Sequence, residues 1–314
     1  MDIFILHVWA LYHHALSKFN ALVRRAYRKY RVIKFRMAIR IPARYVFAWA
    51  YLKRSTGFYA KGYRLRACVA NANQHCLLPQ SSLNYTLTAN RREIIEFYST
   101  WGQDTQILQQ IDCCAEELRR TVNDVVDAGT PLILAPLHMV SDVAAVIVAS
   151  KANPIKSTVV VSSNANEWNA RARAQGNIDV DYCSVEQTAQ DIGLSLATAC
   201  IDVSEGTRGL IVFADMVPDY SMRKSDKTQD TFLCRMFDRP AHLHNGLIRL
   251  SKVTKADVIF FHLYYDQQIK IRVLPAVSYK NVRNQLPGVI EQAITQFSQD
   301  WLLWHQHCLY FINE

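Results

Sequence analysis

The chain of 314 residues has no glycine-rich phosphate loop, which excludes the backbone cradle that nucleotide phosphates require. It has no Gly-x-Ser-x-Gly elbow, so Ser141 lacks the setting of a serine nucleophile. Its eight cysteines, at 68, 76, 113, 114, 183, 200, 234 and 308, form no Cys-x-x-Cys pair and no zinc spacing. Reduced thiols are the expectation, several of them buried. No pair of histidines has a metal spacing backed by a carboxylate, so no metal is expected. Asp2 and the lack of an early cationic region argue against a secretory signal. The first apolar stretch, Ile3 to Ser17, holds His7, His13 and His14 and falls short of the roughly 20 residues a spanning helix needs. Tyr45 to Leu52 is shorter still, and no transmembrane helix is expected. Internal repeats and low-complexity segments are also lacking.

Acidic residues are scarce at the amino terminus. Residues 1–66 carry fifteen Lys or Arg against one acid, Asp2, a local balance of +14. The whole chain is +9, so the remainder carries −5. From Ile5 to about Leu52 the pattern is helical, with Pro42 separating two helices. Trp9, Leu11, Tyr12, Leu16, Phe19 and Leu22 alternate with clustered bases. A basic, aromatic-rich amphipathic helix suits an anionic membrane surface. Nucleic acid competes for the same bases, because Arg and Lys do not distinguish lipid phosphate from backbone phosphate. Bulky aromatics mixed with Leu, Ile and Val favour the membrane, and no nucleic-acid motif appears, so no nucleic acid is expected.

Beyond this arm, half the residues of the chain are hydrophobic, enough for a large core. Asn73 to Tyr85 reads as a loop, Arg91 to Tyr98 as a helix, and Thr105 to Ala128 as a longer helix capped by Gly129. Strand-length apolar runs then recur at Leu132–Leu137, Thr158–Val161, Ile178–Cys183, Leu210–Ala214, Val258–Tyr264 and Ile269–Leu274. Helical stretches near Asp142–Ser150, Asn166–Gln175 and Val185–Val203 separate the first four. Such alternation predicts an α/β fold with a mostly parallel central sheet flanked by helices. Asp266-Gln267-Gln268 predicts a hairpin at a mixed edge, and Gly288–Trp301 a final helix. The expected organisation is a basic membrane-associating helical region, 1–66, and an α/β domain, 67–314.

His138 ends the first buried strand, at the carboxyl edge where open α/β sheets place their chemistry. Asp142 follows four residues later and can fix the imidazole's tautomer, so that His138 acts as a general base. After the second strand, Asn166, Arg171 and Arg173 are candidate substrate-binding residues. An arginine there would hold a phosphate or an oxyanion, and the choice between the two arginines stays open. Asp215 ends a strand and can orient an arginine or bind a substrate hydroxyl; the bland alternative is a turn former. His242 and His244 read as helical and His262 as part of a strand.

The order of these pieces resembles the late acyltransferases of lipid A biosynthesis, the lauroyl and myristoyl transferases of the lysophospholipid acyltransferase superfamily. It continues through Phe237-Asp-Arg-Pro-Ala241, the Gly-led Gly246-Leu-Ile-Arg-Leu-Ser251, Val273-Leu-Pro275 and Trp301-Leu-Leu-Trp304-His305. The resemblance covers about residues 90–310. Ser204-Glu-Gly-Thr-Arg208 looks like a block of related enzymes but precedes a strand instead of following one; Phe213-Ala-Asp-Met216 holds the equivalent position. The family implies acyl transfer from acyl carrier protein, or a coenzyme A thioester, to a glycolipid hydroxyl. It needs no cofactor and works at the cytoplasmic face of a bacterial inner membrane. His138 matches its base, Asp142 its acidic partner and Asp215 its strand-end Asp. Met139, Val140 and Ser141 separate His138 from Asp142, one residue fewer than in the family. Either the shorter turn still brings Asp142 to His138, which an i, i+4 spacing favours, or the pair is broken. A broken pair would leave an inactive lipid- or glycolipid-binding protein on the same fold.

Overall fold

In the computed structural model the described residues are 39–56, 61–161, 178–184, 189–217 and 231–306. Most of the basic arm, and with it Asn166, Arg171, Arg173 and Cys308, lies outside them. Helix α1 spans Ala43–Thr56, directly after Pro42, and α2 spans Lys61–Leu77. Helix α3 spans Tyr85–Thr100 and α4 spans Thr105–Asp127. Asp104 caps α4 by accepting from Gln106 N and Ile107 N, and Gly129 turns the chain out at φ 68°. The loop expected over Asn73–Tyr85 is shorter than the sequence suggested. Helix α2 runs on to Leu77: Asn73 donates to the distant carbonyls of Trp304 and Gln306, and Gln74 to those of Leu78 and Ser81 just beyond the helix end. It also runs without a break across residues 66 and 67.

The sheet then builds from β1 (Leu132–Pro136), α5 (Asp142–Ala152), β2 (Ser157–Val161), β3 (Val180–Ser184), α6 (Ala189–Ser204) and β4 (Gly209–Val212). Next come β5 (Thr231–Met236), β6 (Arg239–His244), α7 (Gly246–Thr254), β7 (Asp257–Asp266), β8 (Gln268–Val273) and α8 (Val282–Gln296). Six strands form one sheet in the order β3-β2-β4-β1-β7-β8. All its pairs are parallel except the β7–β8 hairpin, which Gln267 turns at φ 55°. The fold is therefore α/β, with a mostly parallel sheet flanked by helices and mixed at one edge.

Two parts of the sequence reading are corrected. His242 and His244 lie on β6, which pairs with β5 in a separate antiparallel ribbon turned by Phe237 and Asp238 at positive φ. The final helix begins at Val282 and ends at Gln296; Pro287 lies inside it and does not mark its start, and Trp301 is not helical.

Both faces of the sheet are covered, so neighbouring residues of one strand are equally buried. Leu134, Ile211, Ile259, Phe261 and Leu263 pack beneath α4 and α5, against Ile111, Leu118, Val122 and Ile147. Ile133, Leu137, Leu210, Val258 and Phe260 face the other way, with Leu286, Ile290, Ile294, Trp301 and Trp304. Helix α5 is apolar all round, as a helix enclosed by sheet and helices must be. No helix of the described residues is long and apolar enough to cross a membrane.

Candidate active site

The parallel pairing of β1 with β4 sets the site. Ile133 faces Leu210 and Leu134 faces Ile211, an offset of 77 residues. The pairing continues past the strand ends, where Ala214 N donates to Pro136 O. At the same offset of 77, His138 meets Asp215. The His138 ring nitrogen Nδ1 donates to Asp215 Oδ1 at 2.7 Å, and its backbone N–H donates to Oδ1 and Oδ2 at 3.0 and 3.1 Å. Trp301 Nε1 donates to Oδ2 at 2.8 Å. A carboxylate only accepts, so the geometry fixes the proton on Nδ1 and leaves Nε2 with its lone pair. Asp215 is fully buried, whereas the His138 side chain is 13 % exposed. Phe213 stacks on the imidazole, ring centres 4.2 Å apart.

The turn after His138 explains why Asp142 does not take this role. Met139 N donates to Leu137 O and Ser141 N to Met139 O, two successive three-residue turns. Val140 is held at φ 62°, a strained value for a β-branched residue, by its N–H bond to Asp300 O. His138 is therefore not on a helix, and the i, i+4 adjacency expected from the spacing does not arise. Asp142 opens α5, which Ser141 caps through Ala144 N. Its Oδ2 accepts from Arg92 Nη2 at 2.9 Å, and its Oδ1 is buried without a hydrogen-bond partner. Arg92 also binds Glu96.

Asp142 still acts on His138 through space. Burial by itself would depress the imidazole's proton affinity. The charges of Asp215 and Asp142 and the hydrogen bond to Asp215 outweigh burial and the opposing charge of Arg92, so the pKa rises above the usual histidine value. The arrangement resembles the orienting half of a catalytic triad, with Asp215 as the carboxylate and Trp301 and the His138 amide holding it in place.

The elements around the dyad are cross-braced. Leu302 N donates to His138 O, and Met139 bridges Trp301. The 3-10 turn Leu302–His305 packs on α2 through Asn73, and His305 Nδ1 meets Tyr85 Oη at 2.6 Å. Burial lowers the pKa of His305 and raises that of Tyr85 to about 12.

Of the residues singled out in the sequence, the structure joins His138 to Asp215 and sets Asp142 beside them with Arg92. Asn166, Arg171 and Arg173 follow β2, whose carboxyl end lies at the same edge, but they fall outside the described residues. Arg208, the last residue of the Glu-Gly-Thr-Arg block, pairs with Asp181 and Asp202 at the entry to β4, away from this edge. Arg92 carried no signal in the sequence, and Trp301 entered only as the start of a carboxyl-terminal motif; the tertiary structure alone brings both to the site. Two cavities, about 640 and 400 Å³, lie between α4 and β8 and between β5 and α8. Neither is lined by His138. No cluster of metal-ligating side chains occurs among the described residues. No protein-family model matches this chain, and no curated protein matches it.

Proposed function

We propose that the protein is an O-acyltransferase that moves a fatty acyl chain from a thioester, on acyl carrier protein or coenzyme A, to a hydroxyl of a glycolipid or lipid-linked saccharide. The observation that carries this reading is the His138–Asp215 pair at the carboxyl edge of the sheet, with Nδ1 committed to a buried carboxylate and Nε2 left as the base. In this mechanism Nε2 takes the hydroxyl proton as the oxygen attacks the thioester carbonyl. The tetrahedral intermediate then collapses with cleavage of the C–S bond, and the imidazolium returns its proton to the departing thiolate. The products are an ester and a free thiol, with no cofactor required. In this mechanism the developing oxyanion takes its donors from the first turn of α5, the amides of Asp142 and Val143, because a helix ladder leaves its first N–H groups unused. General-base catalysis of this kind contributes on the order of a hundred- to ten-thousand-fold.

The proposed location is peripheral, at the cytoplasmic face of a bacterial inner membrane, with the basic amino-terminal region on anionic lipid. The test is transfer of labelled acyl chains from acyl carrier protein or coenzyme A to a bacterial glycolipid extract. The His138→Ala variant should lose product formation while its circular dichroism and melting temperature stay close to those of the parent. Equal turnover by that variant refutes the base. Glycolipid binding by the unmodified protein with no product supports the inactive lipid-binding protein instead.

A further inference from the structure

We infer that the outward face of α1 inserts into the headgroup–acyl boundary of an anionic bilayer. This deepens the membrane partner proposed above and rests on that reading. It is carried by a separate observation, and its test does not use the transfer reaction.

Helix α1 has two apolar faces. Ala43 and Ala50 are buried, and Val46 and Phe47 pack beside them, Phe47 stacked on Tyr265 at 5.8 Å. That face anchors the helix to the body. On the other side Tyr45, Trp49 and Leu52 are 56 %, 65 % and 58 % exposed. Their i, i+4, i+7 spacing puts them in one stripe. Ile41, just before the helix, and Leu65 of α2 add further exposed apolar surface. A single exposed leucine needs no explanation, but a contiguous stripe containing Trp and Tyr does. Trp and Tyr combine an apolar body with a polar tip, which suits the membrane interface.

The charge around the stripe identifies the occupant. Between Asp2 and Glu93 the sequence holds no acid at all. Arg40, Arg44, Arg64 and Arg66 are exposed, and no described carboxylate pairs with them. Arg44 lies over the Tyr45 ring at 4.8 Å, which keeps a cation at the edge of the stripe. A second copy of the chain would bring arginines against arginines in excess of Asp104, the acid whose Oδ2 accepts from Ala43 N at the amino end of α1. A phosphate-rich polymer would satisfy the arginines but leave Trp49 and Leu52 in water. An anionic lipid surface satisfies both, since headgroups meet the bases and acyl chains the stripe.

The same helices brace the site. Helix α1 packs on α3, which supplies Arg92 to Asp142, and α2 is bonded to the 3-10 turn whose Leu302 holds the His138 carbonyl. The helix that carries the stripe is thus tied by packing to the elements that hold Asp142 and the His138 carbonyl.

The test uses the full chain and vesicles of phosphatidylcholine with or without phosphatidylglycerol, at low and high salt. The parent protein should co-sediment with the phosphatidylglycerol vesicles, less so at high salt. The triple variant Tyr45→Ser, Trp49→Ser, Leu52→Ser should lose at least about tenfold in partitioning. Trp49→Phe gives an independent reading: the tryptophan emission it removes should be the part that brominated lipid quenches in the parent. Unchanged partitioning of a folded triple variant, or quenching unchanged in Trp49→Phe, overturns the inference. So does a parent protein that binds duplex DNA at matched salt but not the vesicles.

Discussion

Replacing Asp215 with Asn alters charge and hydrogen-bonding pattern at almost constant volume, and the structure sets the outcome. The carboxylate accepts from the His138 backbone N–H, the His138 ring Nδ1–H and Trp301 Nε1–H. An amide has one oxygen and one NH2. With its oxygen toward His138, its NH2 opposes the Trp301 N–H. With its oxygen toward Trp301, it faces the imidazole as a donor and drives the ring proton to Nε2, which destroys the base. Either way one buried donor loses its acceptor and the surviving bonds lose their charge assistance, a cost of about 2–4 kcal/mol. A domain with roughly 5–15 kcal/mol of stability remains folded after that loss. Activity should fall on the order of 10³- to 10⁴-fold, because the tautomer and the imidazolium both depend on this carboxylate. Urea unfolding followed by tryptophan emission measures the first quantity, and labelled acyl transfer the second. Heteronuclear NMR adds a substrate-free reading, in which the His138 titration moves to lower pH once Asp215 no longer raises its proton affinity. A variant that unfolds within about 0.5 kcal/mol of the parent and titrates like it would refute the proposed geometry, whatever the substrate.

Asp142→Asn should shift the acidic limb of the pH–rate profile to lower pH. His138 must be neutral to act as a base, and this change removes a charge that raises its pKa while leaving Arg92, which lowers it; an unmoved limb contradicts the through-space role. His262 is buried with neither ring nitrogen bonded, and burial lowers its pKa to about 4. Because the unfolded chain binds this proton below about pH 6.5, stability should fall between that pH and about 4, by about 3 kcal/mol. His262→Leu should flatten that part of a pH series of thermal melts. Arg91→Ala leaves Asp300 buried with the Tyr265 N–H as a donor but without its counter-charge, and should cost about 3–5 kcal/mol in urea unfolding.

How far the sequence could be read depended on whether a signal was local. Apolar runs of strand length, the cap at Gly129 and the Asp266–Gln268 turn are properties of adjacent residues. They sufficed for the α/β class, the mixed edge and the place of His138 at the end of a strand. Where a local cue had two uses, the reading failed. The final helix, expected over Gly288–Trp301, starts at Val282 and tolerates Pro287 within it, which its packing on the sheet decides. The alternation in Arg239–His244 was too short to tell strand from helix without β5 beside it.

The carboxylate that orients His138 was of a different kind. Spacing offered Asp142, four residues away, on the assumption of a helical turn. Two tight turns and the positive φ of Val140 broke that assumption. Asp215 was already visible as a residue ending a strand, but that its strand neighbours β1 follows from the order β3-β2-β4-β1-β7-β8. Sequence determined which residues carry chemistry, because side-chain type and the strand ends are written locally. Tertiary structure decided which of them touch, because an offset of 77 residues exists only once two distant strands lie in register.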